Sequence, residues 1–222
     1  MNVITILKGA EEKQIQLVIF SIRSELNRRI LCWVNILQTL IVFGTRYGAT
    51  PQTAAEIAKV LEEADFDVHV VDLAKESVDN LHTFDLIIIG SGVKKRWTRE
   101  ARRFLKRNRK VLQGKKTALF ISSGWPAILH AEGNTAQIEE IRQTHLVEMA
   151  NEQKLQPIAL GLFNGIWEFP DTNSLGRKWY KDVLERIEKL GFEAEDDHYD
   201  FRDWDVIRQW AQELVKKVRK EE

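Results

Sequence analysis

Cysteine is almost missing from this chain: Cys32 stands alone among 222 residues. A single thiol excludes an intramolecular disulfide, offers no Cys-x-x-Cys metal spacing, and fits a reducing cytoplasm. Net charge is missing as well, because 33 basic residues face 33 acidic ones. That balance excludes an acidic tail protein, and no nucleic-acid partner is expected. Long apolar runs are also lacking. In the first 38 residues Arg23, Glu25, Arg28 and Arg29 interrupt the apolar stretch well short of the roughly 18–20 residues that a membrane span needs. Glu11 and Glu12 sit poorly in a secretory leader. The five histidines, at 69, 82, 130, 145 and 198, show no His-x-x-x-His spacing, so no metal site is expected. His69 alternates with Val68 and Val70, as on a sheet edge.

What is present divides into an extension and one main domain. Residues 1–38 allow two readings. Ile22, Leu26, Ile30 and Val34 recur at helical spacing beside Arg28 and Arg29, as in an amphipathic helix lying on a membrane or on the domain. The favoured alternative is a loosely attached extension ahead of a domain at 39–222. Within that domain short apolar runs, TLIVFG, VHVVDL, DLIIIGSG, TALFISSG and QPIALGLFNG, alternate with segments of helical period. Such runs suit strands buried on both faces. The fold class is therefore α/β, a parallel sheet with right-handed crossovers and helices on both sides. An insertion at about 125–155 and an added helix at 203–220 complete the domain.

Ligands of such sheets lie beyond the carboxyl ends of the strands. The loop after the first strand, in IVFGTRYGAT at 41–50, leads straight into a helix whose free amides favour an anion. Thr50 reads as the N-cap and Pro51 as the first helical residue. Gly48 and Ala49 let the backbone approach a ligand, and the hydroxyls of Thr45, Thr50 and Thr53 are candidate phosphate donors. Walker A and Gly-x-Gly-x-x-Gly patterns are both absent. A phosphoacceptor aspartate is lacking too, since Gly44–Thr45 and Gly90–Ser91 end the first and third strands.

Read as Ile-Val-Phe-x-Thr-x-x-Gly-x-Thr-x-x-x-Ala, residues 41–54 resemble the flavodoxin signature. The resemblance implies a flavodoxin-like, doubly wound five-stranded sheet of order 2-1-3-4-5. It also implies FMN, with its monophosphate on Thr45, Arg46, Tyr47, Gly48, Ala49 and Thr50. Its flavin ring would lie between the loops GSGVKKRW and SSGWP, on Ser91, Gly92, Val93 and Trp97 and on Ser122, Ser123, Gly124 and Trp125. Both tryptophans could stack on the ring. IVFGTRYGAT, LIIIGSGV, GLFNGIWEFP with Trp179 and Tyr180, and Asp203-Trp204 before Ile207, Trp210, Ala211 and Leu214 together resemble the bacterial quinone-linked protoporphyrinogen oxidases and related flavodoxin-domain proteins.

That second resemblance implies an FMN oxidoreductase of heme biosynthesis, with a porphyrinogen as substrate and a quinone or a protein redox partner as acceptor. Flavin chemistry asks side chains chiefly to bind and orient, so no catalytic acid or base is named. Trp125, Ile128 and Leu129 are expected to offer substrate or quinone an apolar surface beside the flavin. The segment KKRWTREARRFLKRNRK, residues 94–110, holds ten basic residues and one acid, Glu100. It is either a solvated helix face or an attachment to an anionic surface, a partner protein or the inner face of a membrane. Two further classes stay open: an electron carrier without its own organic substrate, and an interaction module without flavin.

Overall fold

The computed structural model describes residues 36–45, 48–168, 174–194 and 198–220, with the backbone alone at 168 and 174–180. The choice between the two readings of the N-terminal extension falls on residues 1–35, outside the described residues. One compact unit spans Leu37–Glu222. Its sheet contains β1 (Leu37–Gly44), β2 (Phe66–Asp72), β3 (Leu86–Gly92), β4 (Lys116–Ser123) and β5 (Ala159–Asn164). These strands are parallel and lie in the order β2-β1-β3-β4-β5. The order is the expected one, although β1 starts two residues before Thr39. Leu37 pairs with Phe66, and the Gln38 amide donates to Asp85 Oδ2 at 2.8 Å.

Alternation along the strands builds two apolar layers. Ile41 and Phe43 of β1, Ile88 of β3 and Phe120 of β4 face one side, where α1 (Ala49–Glu62) contributes Ile57 and Leu61. The C-terminal helix α7 (Trp204–Lys220) packs into the same layer through Ile207, Ala211, Leu214 and Val218. Leu40, Val42, Ile87, Ile89, Leu119 and Ile121 face the other side. There α2 (Arg99–Leu112) buries Ala101, Phe104, Leu105 and Leu112 and turns its charged face to solvent. Continuous apolar runs are thus the signature of a sheet covered on both faces. His69 is exposed on β2, at the edge of that sheet.

The long segment after β4 is a crossover in several pieces: α3 (Trp125–Ala131), α4 (Thr135–Arg142), a π-helical turn at Gln143–Val147 and α5 (Glu148–Gln153). Leu146, Ala150 and Leu155 close the second layer over the sheet. Helix α6 (Ser174–Lys189) joins β6 (Ile166–Glu168) to β7 (His198–Asp200), two short antiparallel strands. Ile128 of α3, Val183 and Ile187 of α6, Trp167 and Tyr199 form a third apolar cluster. No helix among the described residues is long and apolar enough to cross a membrane.

Candidate functional site

Three loops meet at the carboxyl edge of the sheet, after β1, β3 and β4. The first is shaped by two glycines with different reasons to be glycine. A Cβ on Gly44 would lie 2.0 Å from Thr98 Oγ1, so the first strand needs the space. Gly48 sits at φ 75°, a left-handed conformation that L side chains disfavour, yet a Cβ there would meet nothing within 4 Å. Glycine is required at 48 for its dihedral and at 44 for close approach.

Helix α1 begins two residues earlier than the sequence pattern indicates. Gly48 is its N-cap and makes no side-chain capping bond, Thr50 is the second helical residue, and Pro51 the third. The left-handed glycine turns the chain into the helix before Thr50 can serve as cap. Thr53 is not a donor to a ligand, because its hydroxyl donates to the Ala49 carbonyl at 3.1 Å. The first turn of α1 contains no acid. By contrast, α2 is capped by Thr98, whose Oγ1 accepts the Ala101 amide at 3.3 Å, and it carries Glu100 in its first turn. An uncapped helix start without a carboxylate retains free amides and a positive end for an anion.

Two hydroxyls at this edge reinforce that reading. Thr45 Oγ1 and Ser122 Oγ are buried and have no hydrogen-bond partner. An unpaired buried hydroxyl costs about 1–3 kcal/mol, so Thr45 beside a free helix N-terminus and Ser122 two strands away on the same sheet edge fit a ligand that pairs with them. Thr50, in the first turn of α1, is 1 % exposed. Arg46 and Tyr47, also expected here, lie outside the described residues.

The loop after β3 differs from expectation. Ser91 is fully buried, and its Oγ accepts the Thr98 amide at 2.9 Å and lies 3.2 Å from the Gly92 carbonyl. This serine holds the start of α2 in place rather than facing a ligand. Trp97 is 1 % exposed and its indole N–H donates to the His145 carbonyl at 2.6 Å. Its ring belongs to the second apolar layer, so it has no face free to stack on a flavin. Gly92 is half-buried at the strand end, and the Val93 amide donates to the Ser122 carbonyl at 2.9 Å, extending the ladder by one rung.

Trp125 stays at the cleft. Val93, Ser123, Gly124, Trp125, Ile166 and Trp167 line a small open cleft between the ends of β3 and β4 and the start of β6, with Lys94 at its rim. Trp125 meets Trp167 edge to face, with centroids 4.9 Å apart and planes at 85°. Ser123 Oγ accepts the Trp125 amide at 3.4 Å and the Ser123 carbonyl accepts the Gly165 amide at 2.8 Å. The result is an aromatic-lined cleft at the carboxyl edge of the sheet. Trp167 and Ile166 were not singled out as site residues from the sequence; the signal was their place in GLFNGIWEFP, directly after the fifth strand.

Ile128 is not part of the apolar surface expected for substrate, being 0 % exposed and packed against α6. Leu129 is 3 % exposed, yet with Trp125 it borders a second hollow that Gln137, Ile141, Thr144, His145 and Arg186 also line. The Arg186 guanidinium stands 5.5 Å from the Trp125 ring centre and forms a two-pronged ion pair with Glu132. Its hydrogen bonds hold the Glu132 carboxyl below the usual range, against an opposing effect of desolvation. Burial pushes the His145 imidazole below its ordinary value, partly opposed by Glu148. His145 lies in the π turn, an irregularity frequent at functional sites.

Comparison with known proteins agrees with this architecture. The family model described as "Flavodoxin domain" matches residues 40–181, more than half of the chain. No curated protein matches. Similar solved structures include the flavodoxin of Streptococcus pneumonia TIGR4, at 16% identity and TM-score 0.47, with 81% of this chain and 99% of that one covered. Oxidised Flavodoxin 2 from Bacillus cereus shares 24% identity at TM-score 0.42, covering 68% of this chain and 99% of that one. Two-electron reduced flavodoxin from Megasphaera elsdenii shares 21% identity at TM-score 0.43, covering 66% and 98%.

Proposed function

This chain belongs to the flavodoxin domain family, and we propose that it binds FMN and works as an electron-transfer protein. The observation that carries the proposal is the pair of buried, unpartnered hydroxyls, Thr45 Oγ1 and Ser122 Oγ, at the sheet edge that also presents the uncapped start of α1. The phosphate would be held by Thr45, Thr50 and the first amides of α1, which offer hydrogen bonds and a positive helix end. The ring would rest against Trp125 in the cleft after β4. When bound, FMN supplies one- and two-electron chemistry; the chain binds it, orients it and limits water around it. Among the described residues lining the cleft, Lys94 is the sole titratable one. A site with so little acid–base equipment suits electron exchange better than proton abstraction from an organic substrate.

Reconstitution tests the reading directly. FMN added to the purified protein is expected to bind with quenched flavin fluorescence, and riboflavin, lacking the phosphate, to bind at least about tenfold more weakly, the factor that corresponds to roughly 1.4 kcal/mol. Equal affinity for the two would remove the phosphate site from the proposal.

A second reading, an oxidoreductase with its own substrate, is favoured by the hollow beyond Trp125, where His145 offers a neutral imidazole next to the ring cleft. In its most specific form the substrate is a porphyrinogen and the acceptor a quinone. Anaerobic mixing of the FMN-loaded protein with protoporphyrinogen separates the two readings. Rapid bleaching of the flavin band favours the oxidase, and an unchanged spectrum leaves electron transfer between proteins.

A further inference from the structure

We propose that the solvent face of α2, continued through Arg96 and Lys95 to the rim of the cleft, is a docking surface for an acidic protein that exchanges electrons at the cleft. The inference rests on the electron-transfer reading and names the partner's chemistry. From Arg99 to Lys110, seven residues are basic and all seven are exposed. Among the described residues none of the seven forms an ion pair. Glu100 is the one acid on the helix, and Glu76 and Asp79, in the loop before β3, flank the strip on the side of Arg103 and Arg107. Because the whole chain is formally neutral, this concentration leaves the remainder net negative. Such a separation of charge orients an approaching partner before contact.

The position of the strip gives that orientation a use. Lys95 and Arg96 are exposed immediately ahead of α2, and Lys94 lines the cleft beside Trp125. A partner seated on α2 and this loop would therefore cover the mouth of the cleft, where electron exchange needs a short path.

The composition of the face selects the class of partner. Five of the seven residues are arginines, at 99, 102, 103, 107 and 109, and guanidinium forks match carboxylates two-pronged. Ala101, Phe104, Leu105 and Leu112 of the helix are buried and Val111 is partly so, packed against the same core, so the exposed face has no large apolar side chain to insert into a bilayer. It likewise lacks an exposed aromatic on which a nucleic-acid base could stack. Carboxylates on a protein surface satisfy what is present without requiring what is not.

Binding of the full chain is to be measured against three probes: a small acidic [2Fe–2S] ferredoxin, a basic cytochrome c, and vesicles containing about one-third phosphatidylserine. The ferredoxin is expected to bind at low ionic strength and to weaken about tenfold or more near 0.3 M salt, as screening shortens the reach of charge. Arg99→Glu, Arg102→Glu, Lys106→Glu and Arg109→Glu combined should abolish that binding. The corresponding four glutamine substitutions, which keep helix propensity, should weaken it to an intermediate level at unchanged thermal stability. Ferredoxin binding that ignores both sets, equal binding of cytochrome c, or binding to vesicles with none to ferredoxin would overturn the proposal. These readouts use no flavin. If the ferredoxin binds through α2 but accepts no electron from the photoreduced FMN protein, the electron-transfer reading fails and the docking surface stands.

Discussion

A hydroxyl enclosed without a partner works against the fold that contains it, and this makes Thr45 and Ser122 unusually informative. Thr45→Val and Ser122→Ala each remove an unpaired buried oxygen while leaving nearly the same volume. Without ligand, both variants should be as stable as the parent or slightly more so. With FMN they should each lose about 1.5–3 kcal/mol of affinity, the contribution of a hydrogen bond to a charged group, if that oxygen pairs with phosphate, and about 0.5–1.5 kcal/mol if it pairs with a neutral ring atom. Thermal melts of the apo protein and fluorescence titrations with FMN measure the two signs separately. A parallel loss of apo stability would mean that the hydroxyls serve the fold. The opposite case is Trp97. From the sequence a tryptophan in the loop after β3 resembles a stacking residue, but its indole is fixed by a carbonyl 48 residues away, at His145. Nothing local encodes that bond.

At the scale of the element, the start of α1 and the π turn each carry a prediction. Gly48 takes φ 75° with open space where a side chain would go, so Gly48→Ala meets a dihedral penalty and no clash. Its cost is about 1–2 kcal/mol, and Gly48→Asn should cost less because asparagine tolerates the left-handed region. Urea midpoints of the two variants order them, and equal losses would point to a steric cause instead. In the π turn, burial depresses the His145 pKa below 6.5. The folded state then holds fewer protons on this ring than the unfolded state below about that pH, so stability rises with pH through this window and falls on acidification. Between pH 7.5 and 5.5 the parent should lose more stability than His145→Gln, as read from urea midpoints at both pH values. An equal loss would assign the acid sensitivity to other groups.

Across the whole molecule, what was legible in the sequence is what local physics dictates. Strands covered on both faces, as β1, β3 and β4 are, must be apolar throughout, and with them as anchors the five runs could be read in order. A loop of small and hydroxyl residues running into a helix could also be read, and its left-handed Gly48 and uncapped helix start are local features. The strands β6 and β7 were not legible, because three residues each are too few to show a period of two. The pieces of the crossover were hidden for a different reason: Ile128 looks like free apolar surface until α6, distant in sequence, is packed against it. The start of the domain lies between these cases. Thr39 opens the apolar run, but the sheet begins at Leu37, whose rung with Phe66 is joined by the Gln38 amide on Asp85 and by the Asp85 amide on the Gln38 carbonyl at 2.7 Å. Two shortened chains, one beginning at Leu37 and the other at Thr39, should therefore differ. Loss of two hydrogen bonds and the pairing of Leu37 amounts to about 1–3 kcal/mol, a drop in melting temperature of roughly 2–4 °C per kcal/mol for a domain of this size. Differential scanning fluorimetry of the pair is sufficient, and identical melting temperatures would place the functional boundary of the sheet at Thr39 after all.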